Sequence, residues 1–235
     1  ENKNLLPGEA VTAIRTQRSG QNVASSGAAP HTMRVPPTLK ARTRMEISGA
    51  LFMPDLRETL LVSDDTGLSG ENEDAPWVFW LGRDGALLPE PSVIRGIEKI
   101  SDLESVTMDP EGRLYFLCSQ SMSKKGKRPK RRQYLVRVKR EGRDLTATGA
   151  TTLYGFLKQK LSPTQWNELG IDNSLDIEGM SWWNDGLLLG LKSPLAQSRK
   201  ARLWHLGGLD VLFGDSKNTD AQIQLRVVAD VALPT

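Results

Sequence analysis

One phrase occurs twice in this chain, 74 positions apart, and it restricts the fold more than any other feature. Asp102-Leu103-Glu104-Ser105-Val106 runs through the turn Asp109-Pro110-Glu111-Gly112 into the stretch from Leu114 to Ser119. Asp176-Ile177-Glu178-Gly179-Met180 runs through Asn184-Asp185-Gly186 into the stretch from Leu187 to Ser193. A weaker third copy stands upstream, where Ile47-Ser48-Gly49-Ala50-Leu51-Phe52 leads to Leu60-Leu61-Val62-Ser63-Asp64-Asp65. Each copy reads as strand, turn, strand, because short apolar runs are bounded by Gly, Asp and Pro. One such unit cannot bury its apolar face alone, so recurrence at long intervals implies units stacked on units in a radial β architecture.

Each unit extends to four strands. The first has strands at 47–52, 59–63 and 77–81, the turn Gly82-Arg83-Asp84-Gly85 and an outer segment to Ile94. The second has 103–108, 113–118, 133–139 and a Thr-rich outer strand at 145–153; the third has 177–183, 187–192, 201–206 and 222–231. Val35 to Met45 is expected to add one extended strand after Pro36-Pro37. Ser162-Pro163-Thr164-Gln165 joins a capping serine, a proline at the first helical position and a glutamine three residues on, predicting a helix that stops near Gly170. This insertion and a basic loop stretch the interval beyond the ~40–50 residues of an ordinary propeller blade. The fold class is therefore all-β, a partial β-propeller of about three four-stranded blades with one short helical insertion. Closure needs at least about four blades, so a second chain or further blades would complete the ring. Residues 1–34, rich in Gly, Ser, Ala, Asn and Gln, are expected to form a flexible N-terminal arm, and 35–235 the blades.

Composition excludes several classes. No apolar run approaches the roughly 18–20 residues of a membrane helix, so no membrane span is expected. Cys118 is the only cysteine and sits in an apolar strand, which excludes an internal disulfide. The opening Glu1-Asn2-Lys3-Asn4 has no signal-peptide pattern, as a processed secreted chain also would not. Neither a Gly-x-Ser-x-Gly elbow nor a His-Glu-x-x-His motif occurs, and the two histidines, His31 and His205, are too few for Ser-His-Asp chemistry. Gly186 to Ser193 superficially matches a phosphate loop, but its spacing is wrong and it reads as a strand.

The strongest chemical signal is the paired acids Asp102 with Glu104 and Asp176 with Glu178. Residues two apart on a strand share a face, so each pair projects together near the start of an inner strand. Two pairs from adjacent units can converge with Asp64 and Asp65 at one mouth of a central channel. Clustered carboxylates are hard oxygen ligands suited to Ca²⁺. In the competing reading they bond backbone amides or basic groups of a neighbouring unit and only fix the packing. Lys192, opposite the acids, can hold a phosphate or neutralise them. Lys124, Lys125, Lys127, Arg128, Lys130, Arg131 and Arg132 crowd nine positions; without interleaved aromatics before Tyr134 they read as a solvated hairpin tip rather than a nucleic-acid grip.

The Ile-Glu-Gly at 177–179, the Gly-Leu-Lys-Ser-Pro-Leu at 190–195, the stretch from Ile47 to Asp65, and Cys-Ser-Gln-Ser at 118–121 with Lys-Gly-Lys-Arg at 125–128 carry a family resemblance. They resemble the phytase-like and esterase-like β-propeller group, in particular its bacterial branch of unknown function. The resemblance spans roughly Ile47 to Val231. It implies a six-bladed ring of which this chain would be about half, calcium-dependent hydrolysis, and a periplasmic or secreted location. That branch usually has histidine where this chain has Gln120, and arginine where it has Lys192. Two functions follow as expectations. One is metal-assisted phosphoester hydrolysis, with Asp65, Asp102, Glu104, Asp176 and Glu178 holding Ca²⁺ and with Glu104, Glu178 and Lys192 catalytic on a small anionic ligand. The other is a non-catalytic propeller that binds a ligand or protein.

Overall fold

Short alternating apolar runs produce three successive antiparallel meanders in the computed structural model, which describes residues 32–40, 45–64, 74–215 and 222–232. The first meander is β1 (Ile47–Met53), β2 (Glu58–Ser63), β3 (Trp77–Leu81) and β4 (Ser92–Arg95). The second is β5 (Leu103–Met108), β6 (Leu114–Cys118), β7 (Tyr134–Glu141) and β8 (Asp144–Thr152). The third is β9 (Asp176–Trp183), β10 (Gly186–Ser193), β11 (Ala201–Gly207) and β12 (Gln224–Val231). These are the expected strands, with ends shifted by at most two residues. The expected arm at 1–34 falls almost wholly outside the described residues.

Two of the meanders join. β4 pairs in parallel with β8 through Ile94↔Leu145 and Arg95↔Thr146, giving one eight-stranded sheet in the order β1-β2-β3-β4-β8-β7-β6-β5. Its end strands β1 and β5 lie side by side, so the sheet nearly closes on itself. The third meander is a separate four-stranded sheet whose β9 packs against β5. There the Ser105 hydroxyl accepts from the Met180 N–H at 3.1 Å and the Thr107 hydroxyl from the Trp182 N–H at 3.0 Å.

The alternation on β6 explains the layering. All five of its side chains are buried, because it has core on both faces. Leu114, Phe116 and Cys118 pack with Trp80, Ile94 and Leu103 of the eight-stranded sheet. Tyr115 and Leu117 point the other way, into a cluster with Ile177, Leu189 and Trp204 of the four-stranded sheet. Burial of this kind is worth roughly 1.5–3 kcal/mol for each large apolar side chain.

The helices differ from expectation in instructive ways. The segment expected as a strand from Val35 instead contains α1 (Pro37–Lys40), since proline fits the first turn of a helix as readily as extended backbone. Leu39 of α1 packs on Leu61, Phe79 and Leu87, with Met33 and Val35 beside it, so this segment covers much of a flank expected to be bare. Phe52 remains exposed there, and Trp183 and Val231 are exposed on the four-stranded sheet. The helical insertion holds two helices rather than one, α2 (Leu153–Lys160) and α3 (Pro163–Glu168); α4 (Leu209–Leu212) follows β11. At α3 the capping box forms as the sequence implies: Gln165 N–H donates to the Ser162 hydroxyl and Ser162 N–H to the Gln165 side chain. Between β9 and β10, Asn184 and Asp185 take φ of 47° and 58°, the left-handed pair of a type I′ hairpin.

The basic loop is not a uniform solvated tip. Arg128 stacks on Tyr154 with its guanidinium 3.8 Å from the ring centre, and it donates to the carbonyls of Asn173 and Leu175 just before β9. Arg131 pairs with Asp74 at 2.7 Å, whereas Lys124, Lys125 and Lys127 are exposed. Arg128→Ala should therefore cost about 1–3 kcal/mol in urea unfolding, through lost stacking and two charged hydrogen bonds. Lys124→Ser with Lys125→Ser should stay within about 0.5 kcal/mol.

Candidate metal site

The first strand of each meander begins at the same end of the molecule, and a relay of backbone hydrogen bonds ties these beginnings together. Asp64 N–H donates to the Glu46 carbonyl, Asp102 N–H to Asp64, Ser119 N–H to Asp102, and Ile177 N–H to Ser119, at 2.8–3.0 Å. Asp102 on this rim, and Gln120 next to Ser119 but away from the cavity, adopt the left-handed region at φ of 63° and 65°, though neither is glycine. Non-glycine residues rarely sit there, and such conformations cluster at functional sites.

The relay encloses a cavity of about 290 Å³ with an acidic lining. Asp102, Glu104, Asp176, Glu178 and Lys192, singled out by the repeat, all face it; Asp65 lies outside the described residues. Asp64, also expected at this mouth, lines it too, and Glu46, Ile47, Ser48, Ser121 and Arg132 complete the wall. Glu46 is the first-unit counterpart of Asp102 and Asp176, as Glu46-Ile47-Ser48-Gly49 against Asp176-Ile177-Glu178-Gly179 makes plain. Ser48 replaces the second acid of the pair, which hid the match. Arg132 belongs to the basic run, and only the fold turns it inward.

One oxygen of Asp102 is fully engaged. Arg132 Nε donates to Asp102 Oδ2 at 2.7 Å, its terminal nitrogen does the same, and the hydroxyls of Ser119 and Ser121 join them. Burial would raise this carboxyl, but a hydrogen bond from the Asp64 carboxyl, together with Arg132 and Ser119, holds its pKa below the ordinary value. Asp64, Asp102 and Glu104 each bring an oxygen within 4.8 Å of the other two, a cluster that can bind a metal ion. On the far wall Lys192 pairs with Glu178 and lies 3.8 Å from Asp176. Asp176 Oδ1 is buried without a hydrogen-bond partner among the described residues.

So many carboxylates in one cavity cannot all remain charged. Burial, with Asp102 and Glu46 adding negative charge, raises the Asp64 carboxyl to about 7. Burial and the charges of Asp64, Asp102, Glu178 and Asp176 raise Glu104 to about 8. Burial also raises Asp176, with Lys192 opposing and Glu178 adding to the rise. The Lys192 ammonium is held up by its hydrogen bond to Glu178 and stays charged. Six carboxylates against two cations give the cavity an excess of negative charge that a bound cation could neutralise.

Other residues singled out by sequence stand apart. Gln120 is buried away from the cavity; its amide donates to the Cys118 carbonyl at 2.8 Å and accepts from Tyr154 N–H at the start of α2. His205 is buried, with Nε2 at 3.2 Å from the carbonyls of Trp183 and Asn184. Gly186–Ser193 is strand β10, not a phosphate loop. No helix among the described residues is long and apolar enough to cross a membrane. No family model matches this chain, and no curated protein matches it.

Proposed function

We propose that the three meanders are blades of a phytase-like β-propeller and that the acidic cavity binds Ca²⁺ to hydrolyse a phosphoester. The observation that carries this reading is the convergence of acids from all three repeats on one cavity, with three carboxylates close enough to share an ion. The donor set fits: hard oxygens in excess of cations, two carboxyls whose pKa burial and neighbouring negative charge raise, and an orphaned buried oxygen on Asp176. Asp64, Asp102 and Glu104 would hold the ion, with Asp176 and Glu178 across the cavity. When bound, Ca²⁺ supplies charge neutralisation and polarisation of a phosphoryl oxygen. Glu104 then serves as a ligand, because a coordinating carboxyl gives up its proton. Lys192, anchored by Glu178, offers its ammonium to the anionic ester. Glu178 accepts a hydrogen bond from the attacking water and orients it.

The test is a panel of phosphomonoesters and diesters assayed with Ca²⁺ and with chelator. The expected result is calcium-dependent turnover that falls at least about 100-fold in Glu178→Gln and in Lys192→Met, in line with losing an electrostatic or acid–base group. Calcium binding without turnover on any ester would leave the alternative, a non-catalytic ligand-binding propeller. The exposed Trp183 and Val231 support completion of the ring by further blades or a second chain. Light scattering of this chain should then show self-association, which Trp183→Ser weakens.

A further inference from the structure

Away from the acidic cavity, the outer edge of the second meander is left open beside a cluster of cations. β4 pairs with β8 only at Leu145 and Thr146. At Gly96, with φ of 89°, the chain turns away, and residues 96–99 form the far wall of an open groove of about 700 Å³. Ala150, Thr151 and Thr152 of β8 form the near wall. Among the described residues no strand pairs with β8 on this side beyond Thr146. Residues 147–152 are Ala, Thr, Gly, Ala, Thr and Thr. They include no proline and no charge, the usual devices that stop a free edge from pairing. Lys99, Lys130 and Arg131 ring the groove against a single carboxylate, Glu98. Arg131 is held by Asp74, but among the described residues Lys99 and Lys130 make no ion pair. Lys130 stands 6.0 Å over the Tyr134 ring.

We infer that this groove is a docking site for an extended acidic peptide, which adds to β8 as a strand in line with β4. Backbone hydrogen bonds to the free edge supply sequence-independent affinity, and alternate side chains reach the walls. Those on the cation side are selected as Asp or Glu by Lys99 and Lys130. The small side chains of Ala150, Thr151 and Thr152, which line the groove, leave room for the added backbone. A nucleic acid would meet one aromatic ring, Tyr134, and gain no strand pairing.

The experiment titrates the whole chain into a fluorescein-labelled, end-capped peptide of alternating Glu and Val, read by anisotropy. Three comparisons accompany it: the same peptide with alternate amides N-methylated, a peptide of alternating Lys and Val, and a Lys99→Glu/Lys130→Glu chain. Both lysines are exposed, so that variant should fold, which circular dichroism checks. The expected result is saturable binding weakened at least tenfold by N-methylation and at least tenfold by the double variant, with the Lys peptide tighter on the variant than on the wild type. Equal binding of the N-methylated peptide would overturn the strand-addition inference. So would displacement by a single-stranded DNA oligomer that binds more tightly than the peptide, which would mark a polyanion surface. Absence of peptide binding up to millimolar concentration would overturn it outright.

Discussion

Glu104→Gln should make the metal-free protein more stable at pH 8 and abolish its response to calcium. The Asp64 and Glu104 carboxyls titrate near pH 7 and pH 8 in the folded chain, well above ordinary carboxyls, which the unfolded chain approaches. Between about pH 4 and pH 8 the folded chain therefore holds more protons than the unfolded one. Stability is greatest below the unfolded values and falls as pH rises through the folded ones. An amide at position 104 keeps hydrogen-bonding capacity and removes one charge from the repelling set. The gain at pH 8 should be about 1–2 kcal/mol, discounted from the full displacement because the cavity opens to screening solvent. For a chain of this size that is roughly 2–8 °C in Tm. Wild-type Tm should fall between pH 5 and pH 8 in chelator and recover with millimolar Ca²⁺; the variant should show a flatter profile and no recovery. A Tm that rises with pH over this range in chelator would contradict the electrostatic account.

Gly49→Val should be the most damaging single change at the junction between the first two meanders. A Cβ at Gly49 would lie 2.9 Å from Val62 Cγ2, 3.0 Å from the Glu104 carbonyl oxygen and 3.1 Å from Ser105 Cα. Two of these are backbone atoms of β5 that cannot yield without moving Glu104. Overpacking of this kind costs about 2–3 kcal/mol, or roughly 4–12 °C in Tm. The effect should reach the cavity: calcium affinity should drop along with stability, whereas Phe52→Ser, at an exposed position on the same strand, should leave affinity unchanged. Differential scanning calorimetry with and without Ca²⁺ separates the two.

The repeat made the strands and the acid pairs legible, because period-two alternation and turn residues are local signals. Asp102, Glu104, Asp176 and Glu178 could be placed together from sequence since their spacing is written twice. Glu46 was hidden by Ser48, which breaks the acid-x-acid pattern in the first copy. Arg132 could not be separated from its basic neighbours, because only the turn at Lys130–Arg132 aims it at Asp102. Helix α2 went unread since Gly155 and two aromatics depress helix propensity in Leu153–Lys160. What sets that helix is tertiary: Leu153 and Leu157 bury themselves in the core, and Gln120 accepts from its first turn. The parallel contact of β4 with β8, between strands separated by a whole meander, has no local signature at all.

Calorimetric titration of Ca²⁺ into the chain at pH 7.5, in two buffers of different ionisation heat, tests the cation site through the protons it displaces. If the cavity is a cation site, binding saturates near one ion, and the difference between buffers reports release of about one proton, shared between Asp64 and Glu104. The same titration of Glu104→Gln shows little heat. Heats that do not saturate up to millimolar Ca²⁺, or binding without any proton release, would contradict the assignment of these carboxylates as the ligands.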